Sequence, residues 1–553
     1  MIRQFWKFHG GIHPPQHKHL STRQPIAKAE IAKHLILPLH QHIGESAEAC
    51  VSVGEHVFKG QNIAHPQGYI SAPVHASSSG TVVAIEDRPI PHPSGMSAPC
   101  VIIETDGEDR WIEHAPEAPY TEIESSHLRN LIRSAGIVGL GGAGFPSFIK
   151  LNPTGKTIDT LILNGVECEP YITCDDMLMR EKSQDILAGA KIMQHALKAK
   201  QVLIAIEDNK PIAHEAMEAV VYNEADIDVV KVPTLYPQGS EKQLIKVLTG
   251  KECPSDGLPV QIGIVVHNVG TAAAVHRAIN LGEPLISRVV TISGDGVKEP
   301  RNLEVPFGTP MQALIDQCGG ATDDVDRIVM GGPMMGFAMH STDIPVIKTT
   351  NCILASTKEN VAPPSHVMPC IRCGSCASVC PVSLLPQQLH WYSRAKEFEK
   401  TQEYDLFDCI ECGCCAYVCP SNIPLIHYFR YAKTEIWAQE REKEKADLAR
   451  QRHEFKQTRI DREKAEKAAR LAKKKAALAA SKPAADKKDD DKQDAIKAAM
   501  ERAKAKKEQQ AAAPKNTDSL SAAQQAQIDE ANARRTATDG NKPVAENKDE
   551  QNS

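Results

Sequence analysis

Eight of the sixteen cysteines in this 553-residue chain fall into two copies of one spacing. Cys370, Cys373, Cys376 and Cys380 run up to Pro381, and Cys409, Cys412, Cys415 and Cys419 run up to Pro420. Each copy reads C-x-x-C-x-x-C-x-x-x-C-P, the run that holds bacterial [4Fe–4S] clusters. Three thiolates at i, i+3 and i+6 wrap one cubane, and the fourth cysteine of each run ligates the other cluster. The spacing therefore assigns Cys370, Cys373, Cys376 and Cys419 to one cluster, and Cys409, Cys412, Cys415 and Cys380 to the second. Whatever else the chain folds into, it must bring these two runs together. Zinc fits badly, because its sites usually pair two C-x-x-C units. A disulfide framework also fits badly in a long chain whose other cysteines are mostly scattered singly. A chain with two such centres moves single electrons.

The length suggests roughly three or four domains. A net charge of −6 is small for this size and gives no strong field for nucleic acid. No stretch approaches the ~18 consecutive apolar residues of a membrane span. The opening residues lack the uninterrupted apolar segment of a secretory signal, and so many free thiols favour a reducing compartment. The chain is expected to be cytoplasmic, either soluble or docked by partners on the inner face of a membrane.

Five regions are expected. Residues 1–120 contain short valine-rich strands broken by Gly54, Gly60 and Gly80, the pattern of a small β-sandwich. It resembles the barrel-sandwich domain of biotinyl and lipoyl carriers. The stretch His65 to Tyr69, where those carriers expose a modifiable lysine, has none, so the domain is read as structural. Residues 121–284 alternate helices and buried strands such as Thr160–Asn164 and Val202–Ile206, with a helix over 187–200, which is α/β architecture. Residues 285–355 carry short strands and turns, a compact β module. Residues 356–435 hold the cysteine runs in a mainly helical domain, with one helix expected over 386–400. Cys414 and Cys352 lie off the spacing and read as packed thiols. Beyond residue 436 the chain is rich in Ala, Lys, Glu and Arg, strong helix formers. A long solvated helix is expected over 437–480, then a polar tail unable to bury a core, with one more short helix at 493–500.

Gly139-Leu140-Gly141-Gly142-Ala143-Gly144 matches G-x-G-x-x-G, but a Rossmann fingerprint must follow a strand. Here the preceding Ser126–Arg133 reads as a helix. The loop keeps its physical virtue: without side chains, backbone N–H groups can approach a phosphate, and a following helix N-terminus favours the anion. Asn164-Gly165-Val166-Glu167-Cys168-Glu169-Pro170 then places two acids at the end of a buried strand, where α/β sheets bind ligands.

With Lys150, these two segments resemble the flavin- and NADH-binding subunit of respiratory complex I. Tyr236, Gly239 and Glu241, then Val266-His267-Asn268-Val269-Gly270-Thr271, resemble its next two motifs in the same order. Three residues depart from that pattern: Leu140 stands in place of an arginine, Phe148 of a glycine and Val166 of an acid. With the opening Gly10-Gly11-Ile12-His13-Pro14-Pro15, the carrier-like barrel and the cysteine runs, the chain resembles the RnfC/RsxC family of the Rnf/Rsx electron transport complex over about residues 5–435.

That resemblance implies an FMN/NADH-binding domain at 121–284, a β-grasp at 285–355 and two [4Fe–4S] clusters. It implies a peripheral place on the cytoplasmic side of the inner membrane, beside an iron–sulfur subunit and integral membrane subunits. It also implies electron passage between NADH and ferredoxin-like acceptors, coupled to ion transport. Gly139, Gly141, Gly142 and Gly144 would approach the FMN phosphate, and Lys150 and Asn164 would anchor the flavin. Glu167 and Glu169 would fix its ring or the nicotinamide ribose, and Phe145 would stack near the nicotinamide. Glu241 and Asn268 belong to the same binding set. Two alternatives stay open: an iron–sulfur relay and assembly subunit without flavin, which the three departures favour, and a soluble NADH dehydrogenase.

Overall fold

The computed structural model describes residues 5–255, 257–360, 366–480 and 496–504, and the chain divides into two units after Glu444. In the first unit, strands β1 (Ala27–Lys28), β2 (His34–Pro38), β3 (Glu48–Ala49), β4 (His56–Val57), β5 (Asn62–His65), β6 (Val74–His75), β7 (Gly80–Pro89) and β8 (Ser97–Thr105) come first. A four-stranded sheet β2-β8-β7-β4 and a three-stranded sheet β3-β5-β6 make the barrel-sandwich. Val57, Ile63, Val74, Val82, Val101 and Ile103 are buried between them, the interdigitating core that two packed sheets require. The tip after β5 is docked rather than swinging. Tyr69 meets Phe148 edge-on at 5.9 Å, and Arg133 lies 5.0 Å over the same ring while donating to the Gly68 carbonyl.

Next come α1 (Ser125–Ser134), α2 (Ser147–Lys150), β9 (Thr160–Gly165), α3 (Cys174–Glu181), α4 (Ser183–Leu197), β10 (Gln201–Glu207), α5 (Pro211–Val221), β11 (Ile227–Val232), α6 (Glu241–Thr249), β12 (Ile264–Asn268) and α7 (Val269–Asn280). The strands form one parallel sheet, β11-β10-β9-β12. Helices cover both of its faces, so its strands are continuous apolar runs rather than alternating ones. Helix α4 begins four residues before the expected start. Its Gly189 lies against α7: a Cβ there would meet the Ala272 carbonyl oxygen at 1.8 Å.

The β module comprises β13 (Ser287–Ser293), β14 (Arg301–Pro306), α8 (Met311–Gln317), β15 (Val325–Met330), β16 (Phe337–Ala338) and β17 (Cys352–Thr357). Its sheet runs β1-β14-β13-β17-β15-β16, so the first strand of the chain completes it. Residues before β1 lie outside the barrel and cross the other domains. Gly10 (φ 70°) presses on the backbone of Val379, where a Cβ would come within 2.5 Å, and Ile12 pairs with Tyr236.

The cysteine domain contains α9 (Ser375–Ser378), α10 (Pro386–Ala395), α11 (Phe398–Glu403), α12 (Cys414–Tyr417) and α13 (Leu425–Ala480). The single helix expected over 386–400 is broken. Lys396 takes a left-handed φ of 58° and Glu397 N–H closes back onto Tyr392 O, which turns Phe398 onto the domain core. Helix α13 starts twelve residues earlier than expected, because Leu425, Ile426, Phe429, Ala432 and Ile436 pack on that core. Past Ile436 its buried stripe ends. In the second unit the helix is exposed through Ala480, with i,i+4 pairs such as Arg462–Glu466 on its surface. Residues 496–504 are helical, while 493–495 and the rest of the expected tail lie outside the described residues.

Candidate functional site

The glycine loop leads into a helix of only four residues, so the expected following helix N-terminus is not the one it meets. It meets the start of α7 instead. The Leu140 amide donates to Thr271 Oγ1 at 2.9 Å, and Gly141 lies against Asn268, the residue that caps α7 by accepting from the Gly270 amide at 2.8 Å. Gly142 has φ 112°, closed to other residues, and an added Cβ would meet nothing within 4 Å. Gly144 plays a different part from the one expected. It packs on Thr349 and His42, with a Cβ 2.6 Å from Thr349 Cγ2, and does not line the cavity in front of the loop.

That cavity is about 550 Å³. The other ten expected cofactor residues all line it: Gly139, Gly141, Gly142, Phe145, Lys150, Asn164, Glu167, Glu169, Glu241 and Asn268. Its size is that of a cofactor site. Sheet topology explains the convergence, since β9 and β12 are adjacent parallel strands and end side by side, bringing Asn164 opposite Asn268.

The polar side chains are held by one another. Lys150 pairs with Glu241 Oε1 at 2.7 Å, and Asn164 Nδ2 donates to the Gly239 carbonyl at 2.8 Å. Glu167 accepts from the Asp175 amide at 2.7 Å and so caps α3. Burial first, and then the Asp175 charge, push its carboxyl up to about 8 against the pull of Lys18. Glu169 accepts from the Met334 and Met335 amides at 2.7 and 3.0 Å, tying the β9 loop to the β module. Two buried lysines brace the acidic loop from behind: Lys18 donates to the carbonyls of Glu167, Glu169 and Ile172, and Lys210 to that of Val166.

The three departures are packing residues. Leu140 and Phe148 join the main core and Val166 the core beneath the sheet; Phe148 is where the barrel tip docks.

Several wall residues lie outside the expected set, and two of them carry chemistry of their own. His267 is buried, which with nearby Lys150 holds its imidazole down at about 3, and its Nε2 has no partner among the described residues. Tyr236 is buried and donates from its hydroxyl to the Cys412 carbonyl at 2.6 Å. Both sit inside quoted motifs, but nothing in the spacing says which side chain is left unpaired or reaches the cysteines.

The second cysteine run forms part of the same wall, through Ile410 and Cys412. Cys380 and Cys415 lie in one core with Cys370, Cys376, Cys409 and Cys419. Burial, then the charges of Cys409, Cys412, Cys380 and Cys376, raise the Cys415 thiol. Cys380 is likewise raised by burial and by Cys412. Crowded, desolvated sulfurs of this kind are relieved by cationic iron. Backbone donors are present too, with Arg372 N–H 3.4 Å from Cys370 Sγ and Leu384 N–H 3.3 Å from Cys380 Sγ. Cys352 is buried in another core, whereas Cys414 is buried against Cys412, the neighbour it hydrogen-bonds. The donors fit iron–sulfur clusters, and the glycine cradle with its unpaired amides fits a phosphorylated flavin.

Comparison with known proteins agrees with this division. Residues 6–108 match the family model described as the RnfC barrel sandwich hybrid domain, and 132–277 the Nuo51 FMN-binding domain. Residues 289–338 match the SLBB domain, and 369–423 a 4Fe-4S dicluster domain. Three curated relatives share one name, that of the C subunit of the ion-translocating oxidoreductase complex. The protein of Vibrio cholerae serotype O1 is 46% identical over 92% of this chain and 65% of its own length. The Pseudomonas aeruginosa relative is 50% identical over 84% of this chain and 60% of its own. The Salmonella typhimurium relative is 44% identical over 97% of this chain and 72% of its own. The chain thus spans less than two thirds of the Vibrio and Pseudomonas relatives. No described helix is long and apolar enough to cross a membrane. On these matches the chain belongs to the RnfC family, the C subunits of ion-translocating oxidoreductase complexes.

Proposed function

We propose that this chain is a peripheral electron-transfer subunit of an ion-translocating oxidoreductase, passing electrons between NADH and ferredoxin-like acceptors. The observation that carries it is the shared wall: Ile410 and Cys412 of the second cysteine run line the cavity that the glycine loop closes. In this reading the loop amides and α7 hold the FMN phosphate, and Lys150, Asn164, Glu241 and Asn268 anchor the rest of the flavin. Cys409, Cys412, Cys415 and Cys380 hold the [4Fe–4S] cluster nearer the cavity, and Cys370, Cys373, Cys376 and Cys419 hold the outer one. When bound, the flavin trades a hydride with the nicotinamide for single electrons that the clusters carry.

The chain's own residues supply position. Glu169 and Tyr236 brace the wall between cavity and cysteines, and Glu167, accepting from the Asp175 amide, sets a half-buried acidic pair in that wall. His267, neutral and unpaired, offers a hydrogen bond to a bound ligand. Val367, Met368 and Ile371, exposed and next to Cys370 in the chain, offer an apolar surface suited to a partner iron–sulfur subunit. Integral membrane subunits would complete the complex, with this chain peripheral on the cytoplasmic side of the inner membrane.

Anaerobic protein with its clusters intact tests this. Acid should release FMN, iron should approach about eight atoms per chain, and NADH should bleach the flavin and raise a cluster paramagnetic signal. Full cluster content with no response to NADH would leave only an iron–sulfur relay.

A further inference from the structure

The flavin-binding reading leaves one position to explain: Leu140, where the resembled loop carries an arginine. Directly behind it lies Arg288 of β13, buried at 6% exposure. Its guanidinium donates to the carbonyl oxygens of Leu140 at 2.9 Å, Lys348 at 2.6 Å and Val289 at 3.3 Å. No carboxylate accepts a hydrogen bond from it among the described residues; its side-chain neighbours are the Cys174 thiol and Asp175, and Asp175 is bonded to Asn268 Nδ2 at 2.6 Å. Lys348 is buried nearby, its amine donating to the carbonyls of Pro73 and Gly136 at 2.8 and 2.7 Å, and burial holds that amine down at about 7. A buried guanidinium is costly unless its charge is complemented, and an anion in front of the loop would complement that of Arg288.

The geometry also sets direction. A trans peptide points its C=O and the next N–H to opposite sides. Arg288 draws the Leu140 carbonyl toward β13, which turns the Gly141 N–H the other way, toward the cavity that Gly141 lines. Thr271 fixes the other end of the same residue by accepting from the Leu140 amide. The amides of Gly141, Gly142 and Ala143 donate to no acceptor among the described residues.

We propose that Arg288 is the positioning residue of the phosphate cradle, reaching from the β module to orient the loop amides and to supply the charge that Leu140 lacks. The ligand chemistry is a phosphate monoester, and the inference rests on the flavin reading.

Its test compares FMN with riboflavin, which lacks the phosphate, by fluorescence quenching on full-length, cluster-loaded protein stripped of flavin. The unaltered chain should favour FMN; no preference would defeat phosphate binding at the loop itself. Arg288→Met should weaken FMN roughly ten- to a hundredfold, the worth of a charge-assisted hydrogen bond, with riboflavin nearly unchanged. Arg288→Lys should recover part of the preference. Equal losses for both flavins, or no loss, would overturn the role of Arg288. Should the Met variant not fold, Arg288→Lys and Thr271→Val still decide. Each should lower the FMN-to-riboflavin ratio severalfold, and unchanged ratios in both would reject the proposal.

Discussion

The two cysteine runs share one backbone and live in different surroundings. Arg372 and Glu411, each just before the second cysteine of its run, take φ 60° and 57°. Gly374 and Gly413 follow at 79° and 83°, and Ser383 and Asn422, three residues past the last cysteine, stand at 56° and 50°. Left-handed residues at matching positions turn successive N–H groups inward, the concavity that suits anionic sulfur. The environments then diverge. Cys373 is exposed, whereas Cys412 and Cys415 are buried. Arg372 lies in solvent, 4.9 Å over the Trp391 ring, while Glu411 is gripped by Arg430 and Lys433 of α13 at 2.8 and 2.9 Å. Ligand spacing thus dictates the local chain path, and neighbouring domains dictate which run faces the cavity and which faces outward.

The largest expected contrast comes from removing one ligand of each run. Cys412→Ser and Cys373→Ser should each lose about four of about eight irons. Only Cys412→Ser should also stop NADH from reducing the remaining cluster, read by electron paramagnetic resonance after anaerobic mixing. Identical behaviour of the two variants would break the proposed inner and outer assignment. Next in size is chelation of the native protein, in which about half the iron, that of the exposed set, should leave first; a single-phase loss would count against the difference in burial.

A smaller effect is expected at Tyr236, which has no counterpart in the first run. Tyr236→Phe leaves the buried Cys412 carbonyl without its donor, a loss of about 1–3 kcal/mol. The slow phase of iron release should quicken while the fast phase keeps its rate. The smallest effect belongs to Arg372→Ala, which removes an exposed cation–π contact worth about 0.5–1 kcal/mol. It should change only the fast phase, and slightly.

Much of the site was legible because its motifs are local. The glycine loop, Asn164, Glu167, Glu169, Glu241 and Asn268 sit at strand ends and loops that a parallel sheet brings to one edge, so motif order sufficed to group them. Gly144 belongs to the same motif yet packs on Thr349 and His42, a long-range contact that the motif does not encode. Helix α10 ends at Lys396 because Phe398 is drawn onto the cysteine core, a long-range contact that overrides good local helix propensity. Lys18 and Arg288 were invisible, since each acts on a loop roughly 150 residues away through backbone carbonyls that carry no side-chain signature.

The sequence by itself determined the two cysteine runs and the ligand sets proposed for them, because tetrahedral iron leaves few alternatives at fixed spacing. It determined the order of domains and the apolar strands of the parallel sheet for the same kind of reason: those constraints act within a few residues. Tertiary structure alone decided which cysteine run meets the cavity, which glutamates are tied to backbone amides, and which buried cation stands behind the glycine loop. Those outcomes depend on burial and on hydrogen bonds between segments far apart in the chain, and neither is encoded by spacing.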